Sequence, residues 1–201
     1  HMAILMTGLC EKGVELIWKQ CNEELYPQGI EYLEEAAHAG DAEGWFFLGN
    51  CYSWGDGAVG FSDKKAYECY KKGIEGGSVR CVLGAARAGQ FDEELKKASP
   101  CTLEESYRAV LQSAEEGDAF SAFQIAAAYE WETIFDLLQP EEQKRENCYK
   151  WYEQAAKGGI VSAMVKVGKC CLNGQYVPKN EEMALKWADR CAALGNAWGL
   201  Y

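Results

Sequence analysis

A run of small residues closing on glycine recurs along the chain: Ala36-Ala37-His38-Ala39-Gly40, Lys72-Gly73-Ile74-Glu75-Gly76, Ser113-Ala114-Glu115-Glu116-Gly117, Ala155-Ala156-Lys157-Gly158 and Cys191-Ala192-Ala193-Leu194-Gly195. Successive glycines lie 36, 41, 41 and 37 residues apart. That spacing fits a helix-turn-helix unit with loops of variable length, and such units bury their apolar faces only by stacking on one another. After each glycine comes a segment of helical periodicity. It is clearest over residues 42–54, where Trp45, Leu48, Gly49 and Tyr52 recur at helical intervals. The matching pairs downstream are Leu83-Gly84, Ile125-Ala126 and Val167-Gly168, each a large apolar residue beside a small one. The small partner lets a neighbouring helix approach closely.

Second helices are expected over residues 63–75, 102–116, 140–157 and 180–194. Thr102 with Glu105 reads as a capping box, Asp63 and Asn180 suit N-caps, and Pro140 suits a first helical position. The closing glycines fit left-handed C-cap positions. The expected fold is all-α, a right-handed α-solenoid of about five antiparallel helix pairs. It occupies residues 27–195, after a cloning remnant and a degenerate capping helix in residues 1–26, and before a tail at 196–201.

Helical phase then assigns a groove. With Leu48 and Gly49 as packing residues, Phe46, Asn50, Ser53 and Trp54 fall on the other face. The same phase selects Phe120, Phe123, Glu130 and Trp131 in a later unit, and Val165, Lys169 and Asn173 in the last. In the unit between, Cys81, Ala85, Ala88 and Gly89 outline a shallow hollow. Aromatic anchors are enriched at binding hot spots, which singles out Phe46, Trp54, Phe123 and Trp131. Trp151 and Trp187 read as packing residues.

Composition narrows the function. Thirty-one acidic against 20 basic side chains give a net charge of −11, which repels a nucleic-acid backbone. No apolar stretch approaches the roughly 20 residues that span a bilayer. Residues 3–16 lack the basic start and long apolar middle of a signal peptide, so a cytoplasmic location is expected. The 10 cysteines read as reduced packing residues, because disulfide frameworks mostly serve chains too small to build a core. For catalysis only His38 remains once His1 is set aside, and it sits at an ordinary helix end. The Cys and His spacings suit no zinc site, and no cofactor is called for. The paired glutamates read as solvated helix faces.

The stretch Leu48-Gly49-Asn50-Cys51-Tyr52-Ser53-Trp54-Gly55-Asp56-Gly57, followed by Asp63-Lys64-Lys65-Ala66-Tyr67-Glu68-Cys69-Tyr70, resembles one Sel-one-like repeat. Val167-Gly168 through Asn173-Gly174, Val177-Pro178-Lys179-Asn180 and Ala184-Leu185-Lys186-Trp187-Ala188 resemble another, and residues 147–158 a second helix. Two units depart from the pattern. Arg87 stands where the family usually has an aromatic residue, and residues 131–138 replace a Gly-x-Gly turn. The resemblance implies a relative of tetratricopeptide repeats that acts as a non-catalytic adaptor, holding a peptide or helical segment of a partner protein. Two alternatives stay open. One is a regulatory subunit of a partner enzyme, including in defence or virulence. The other is a secreted member that binds cell-wall peptides or lactams with weak hydrolysis, although that branch repeats a Cys-x7-Cys spacing absent here.

Overall fold

The computed structural model describes residues 4, 6–133 and 141–194, the side chains of Glu141 and Glu142 excepted. The described residues form helices and loops with no strand. In chain order the α-helices are α1 (Gly8–Val14), α2 (Tyr26–His38), α3 (Ala42–Trp54), α4 (Asp63–Glu75), α5 (Val79–Arg87), α6 (Glu93–Ala98), α7 (Leu103–Glu115), α8 (Ala119–Glu130), α9 (Glu141–Lys157), α10 (Val161–Asn173) and α11 (Glu181–Ala193). A π-helical turn, Glu15–Lys19, continues α1. Packing is densest within the pairs α8/α9, α3/α4 and α10/α11, with α1/α2, α9/α10 and α2/α3 next. The chain divides into two compact units, His1–Ile17 with Cys21–Ala109, and Trp18–Gln20 with Val110–Tyr201.

The helix boundaries follow local chemistry. Side-chain oxygens of Thr7, Asp41, Ser78, Asp118 and Asn180 accept the first free N–H groups of α1, α3, α5, α8 and α11. Thr102 and Glu105 cap α7 reciprocally, at 3.2 and 3.1 Å. One expected cap moves by a residue. Ser62, not Asp63, caps α4 by accepting from Lys65 N–H, and Asp63 becomes the first helical residue. There its charge favours the helix N-terminus. Gly40 and Gly117 take the left-handed conformation after their helices as expected, but at the two glycine doublets Gly77 and Gly159 do so instead of Gly76 and Gly158. In each case the left-handed residue is the second after the helix, where the reversal is sterically required. Pro140 and the tail 196–201 lie outside the described residues.

In the first unit, close backbone approach organises the core. A Cβ on Gly44 of α3 would lie 2.7 Å from Ala37 N and 2.9 Å from Leu33 O, both backbone atoms of α2. A Cβ on Gly49 would meet the Tyr70 ring of α4 at 2.6 Å. Between α3 and α5 a polar cluster is sealed in. The Ser78 hydroxyl donates to Glu43 Oε1 at 2.6 Å, and Arg80 Nε stands 3.1 Å from Glu43 Oε2, with the side chains only 8% and 1% exposed for Glu43 and Arg80. The Arg80 guanidinium lies over Phe46 and Phe47. Farther along, Ser106 of α7 receives the Leu83 N–H and donates to the Val79 carbonyl, tying α7 to α5. The short helix α6 was not legible as a separate element. Asp92 caps it, and Tyr67 of α4 donates to Asp92 at 2.9 Å.

In the second unit an edge-to-face series, Trp18–Phe120–Phe123–Tyr152, runs through the core with ring centroids 5.1, 5.6 and 5.9 Å apart. Trp151 and Trp187 are buried, as packing residues should be. All 10 cysteines are free thiols, eight of them buried, with Cys21 and Cys101 half-buried. Burial lifts the Cys69 and Cys170 thiols to about 11 and Cys148 to about 12, and pushes Cys51 and Cys81 well above the ordinary thiol range.

Gly44→Ala should cost about 1–3 kcal/mol in urea unfolding because backbone cannot retreat as a side chain would, whereas Gly8→Ala, with nothing within 4 Å of its Cβ, should cost nothing; equal effects would refute the close-approach argument. Arg80→Met should cost about 3–5 kcal/mol by stranding the Glu43 carboxylate. Adding Glu43→Leu should recover much of that loss, and simple additivity of the two single effects would count against the pair. A water-soluble maleimide at pH 8 should label Cys21 and Cys101 first, the other eight thiols reacting only on unfolding. Because burial holds the folded pKa values of Cys51, Cys69, Cys81, Cys148 and Cys170 above the roughly 8.5 of an unfolded thiol, their contribution to stability is full below that pH and declines as pH rises towards the folded values. The urea midpoint of the reduced protein should therefore fall between about pH 8 and 10.5, and a flat midpoint would contradict the assignment.

Candidate functional site

The first helices α3 and α8 are buried almost along their whole length, and this decides which expected groove residues reach the surface. In α3, Glu43, Gly44 and Phe46 through Cys51 are buried; in α8, Phe120 through Tyr129 are. A helix with apolar residues on every side packs on every side. Phe46, Phe120, Phe123 and Val165, expected to face outward, are core residues. Phe46 lies under Arg80 and against Gly84, where a Cβ would stand 2.9 Å from its ring. Asn50 is likewise buried, accepting the Tyr70 hydroxyl at 2.7 Å. Burial raises the Tyr70 hydroxyl above its ordinary pKa. In the expected hollow, Cys81 and Ala85 are also buried, Ala88 is half-buried and Gly89 is exposed.

The expected groove residues that do remain accessible stand towards the C-terminal ends of the first helices. In the first unit Trp54 is half-buried, with the Arg87 guanidinium of α5 stacked 4.6 Å from its ring centroid. Arg87 Nη2 also donates to Ser53 Oγ at 2.7 Å. In the second unit Trp131 is 63% exposed at the C-cap of α8. Glu132 turns left-handed directly after it, so the chain leaves the helix beside the indole. Glu130 is half-buried and ion-paired to Lys166 of α10 at 2.9 Å. Lys169 and Asn173 are exposed on α10.

Trp54 and Trp131 occupy one register, six residues after the large apolar member of their repeats, Leu48 and Ile125. Of the two, Trp131 is exposed and Trp54 is half-buried. Helical phase failed for Phe46, Phe120 and Phe123 because it supposed a single packing face. The signal available in the sequence was the breadth of the apolar surface: AEGWFFLGNCYSW and AFSAFQIAAAYE leave little room for a wet stripe.

At the other end of α3 the first unit holds a cavity of about 560 Å³, lined by residues including Met6, Thr7, Asp41, Gly77 and Ser78. Its polar groups are engaged. Burial would raise the Asp41 carboxyl, but donation from the Thr7 hydroxyl and N–H, from Cys10 and from Glu43 N–H holds it below its usual range. His38 is exposed and set edge-on to Trp45 at 5.1 Å. Among the described residues no group of three or more His, Cys, Asp or Glu is placed to hold a metal, and no helix is long and apolar enough to cross a membrane.

Comparison with known proteins agrees with this repeat architecture. No curated protein matches the chain. Among solved structures, a protective antigen of uropathogenic Escherichia coli strains, displaying an SLR fold, is 24% identical with a TM-score of 0.42 over 87% of this chain and 37% of that one. A Sel1 repeat protein from Oxalobacter formigenes is 22% identical with a TM-score of 0.43 over 84% of this chain and 46% of that one. The chain thus spans less than half the length of either. Residues 24–41, 43–78, 138–160 and 161–196, more than half of the sequence, match the Sel1 repeat. With helix pairs stacked at that period, the chain belongs to the Sel1 repeat family.

Proposed function

We propose that this chain is a non-catalytic scaffold that holds segments of a partner protein, with Trp54 as an anchor on the first unit and Trp131 as an anchor on the second. Sel1 repeat proteins are generally protein-interaction scaffolds, and the finer assignment rests on one observation. Phe46, Phe47, Phe120, Phe123 and Tyr129 of the first helices are buried, whereas a half-buried Trp54 and an exposed Trp131 stand at the same register in two repeats. Tryptophan offers large contact area at small entropic cost, and it is the residue type most enriched at hot spots.

Charge supports the same reading. At a net charge of −11 the surrounding field attracts segments that carry more basic than acidic residues and speeds their encounter. The free, buried thiols suit a reducing compartment, and the cytoplasm is the proposed location. The buried polar groups of the first unit, Glu43, Arg80, Ser78 and Ser106, are engaged in holding helices together, which suits a part made to present a surface.

The test is a selection of random 12-residue peptides against the folded protein, followed by affinity measurements on synthetic copies of the enriched sequences. Trp54→Ala and Trp131→Ala should each weaken at least one enriched class by about 2 kcal/mol, roughly 30-fold, with helicity and urea midpoint unchanged. Enriched peptides that bind the double variant as tightly as the parent would reject these anchors.

A further inference from the structure

Arg87 occupies a register that two other repeats give to an aromatic side chain and the last gives to a cysteine. Four residues after the large apolar member of each pair stand Tyr52, Arg87, Tyr129 and Cys171. An arginine placed there costs packing area, and its surroundings show what it gains. The guanidinium is stacked on Trp54, donates to Ser53 Oγ and reaches the buried Tyr70 hydroxyl. Several other cations of the chain are spent on carboxylates, among them Lys71 on Glu94 at 2.6 Å, Arg108 on Glu104 at 2.7 Å and Lys166 on Glu130 at 2.9 Å. Among the described residues no carboxylate pairs with Arg87.

We propose that Arg87 is the anchor for a single Asp or Glu side-chain carboxylate on the bound segment; this rests on the scaffold reading above and adds what fixes the segment's register. Stacking on the indole shields one face of the guanidinium from water, and the Ser53 bond fixes its rotation. Little side-chain freedom is therefore lost when an anion pairs with the remaining N–H edge. A planar fork with several donors matches a carboxylate in two-point contact. Directly after Arg87 come Ala88 and Gly89. Gly89 has φ +72 and a Cβ there would meet nothing within 4 Å, so with the small Ala88 beside it the segment's backbone has a strip of little side-chain bulk to cross. A side-chain carboxylate lets the chain continue across that strip and past Trp54, whereas a terminal carboxylate would end it there. The net charge of −11 opposes a strongly acidic segment, so the matching one carries a single acid among neutral or basic residues.

Two measurements on the full chain test this. In the first, the Arg87 Nε–H resonance, assigned by its loss in Arg87→Gln, is followed while sodium acetate is added, with sodium chloride at equal ionic strength as control. A saturating shift for acetate alone supports the anchor, and identical responses to both salts overturn it. In the second, an enriched peptide, its Glu→Gln or Asp→Asn version and its C-terminally amidated version are bound to the parent, Arg87→Gln and Arg87→Lys proteins. Arg87→Gln should weaken the acidic peptide about tenfold and the neutralised peptide hardly at all, Arg87→Lys should fall between, and amidation should change nothing. Independent losses that multiply, or a loss seen only on amidation, overturn the proposal while leaving the scaffold reading intact. Saturation by acetate with no peptide enriched would support the anchor and reject the peptide reading.

Discussion

Helix α3 can touch the backbone of α2 only because Gly44 carries no side chain, and most of the first unit's core depends on that approach. With the two backbones in contact, α3 is pressed between neighbours on several sides. Gly49 then admits the Tyr70 ring from α4, and Gly84 of α5 admits Phe46. Each absent Cβ is filled by an aromatic ring from the adjoining helix. Interdigitation of this kind gives the interior its density and fixes the spacing of successive helices.

Such close packing leaves little tolerance for polar groups, and several of the buried ones are joined in sets. Glu43, Arg80 and Ser78 form one, and Asn50 with Tyr70 another. Both sets join a helix to one from an adjoining helix of the stack. A misplaced register would leave a buried charge or hydroxyl without its partner, at a cost well above that of a misplaced methyl group. Specificity of stacking thus rests on a few polar contacts set within a mostly apolar interface.

Much of this was legible from the sequence. The glycine period placed the repeats, α3 begins and ends where its periodicity said, and Asn180 and the Thr102/Glu105 pair cap as their types require. Other features depend on information that a local pattern does not hold. Ser62 displaced Asp63 as the cap of α4 because both residue types cap well and backbone extension at Ser62 decides between them. The Glu43–Arg80 pair joins residues of different repeats, and nothing in the short helix around Arg80 announces its partner. Trp131 is exposed and Trp54 half-buried, but phase arithmetic misplaced Phe46, Asn50, Phe120, Phe123 and Val165, because it counted one packing face where the helix has several.

The burial of α3 and α8 along most of their length bears on how such a chain can change over time. Residues deeper in these helices are locked by volume, since almost any replacement disturbs two or three neighbouring segments. Position 131, exposed just past the end of α8, lies at the margin, where substitution perturbs fewer contacts. Mutational drift can therefore rewrite what the protein recognises while the stacked framework stays fixed, and two homologues with the same interior need share no ligand.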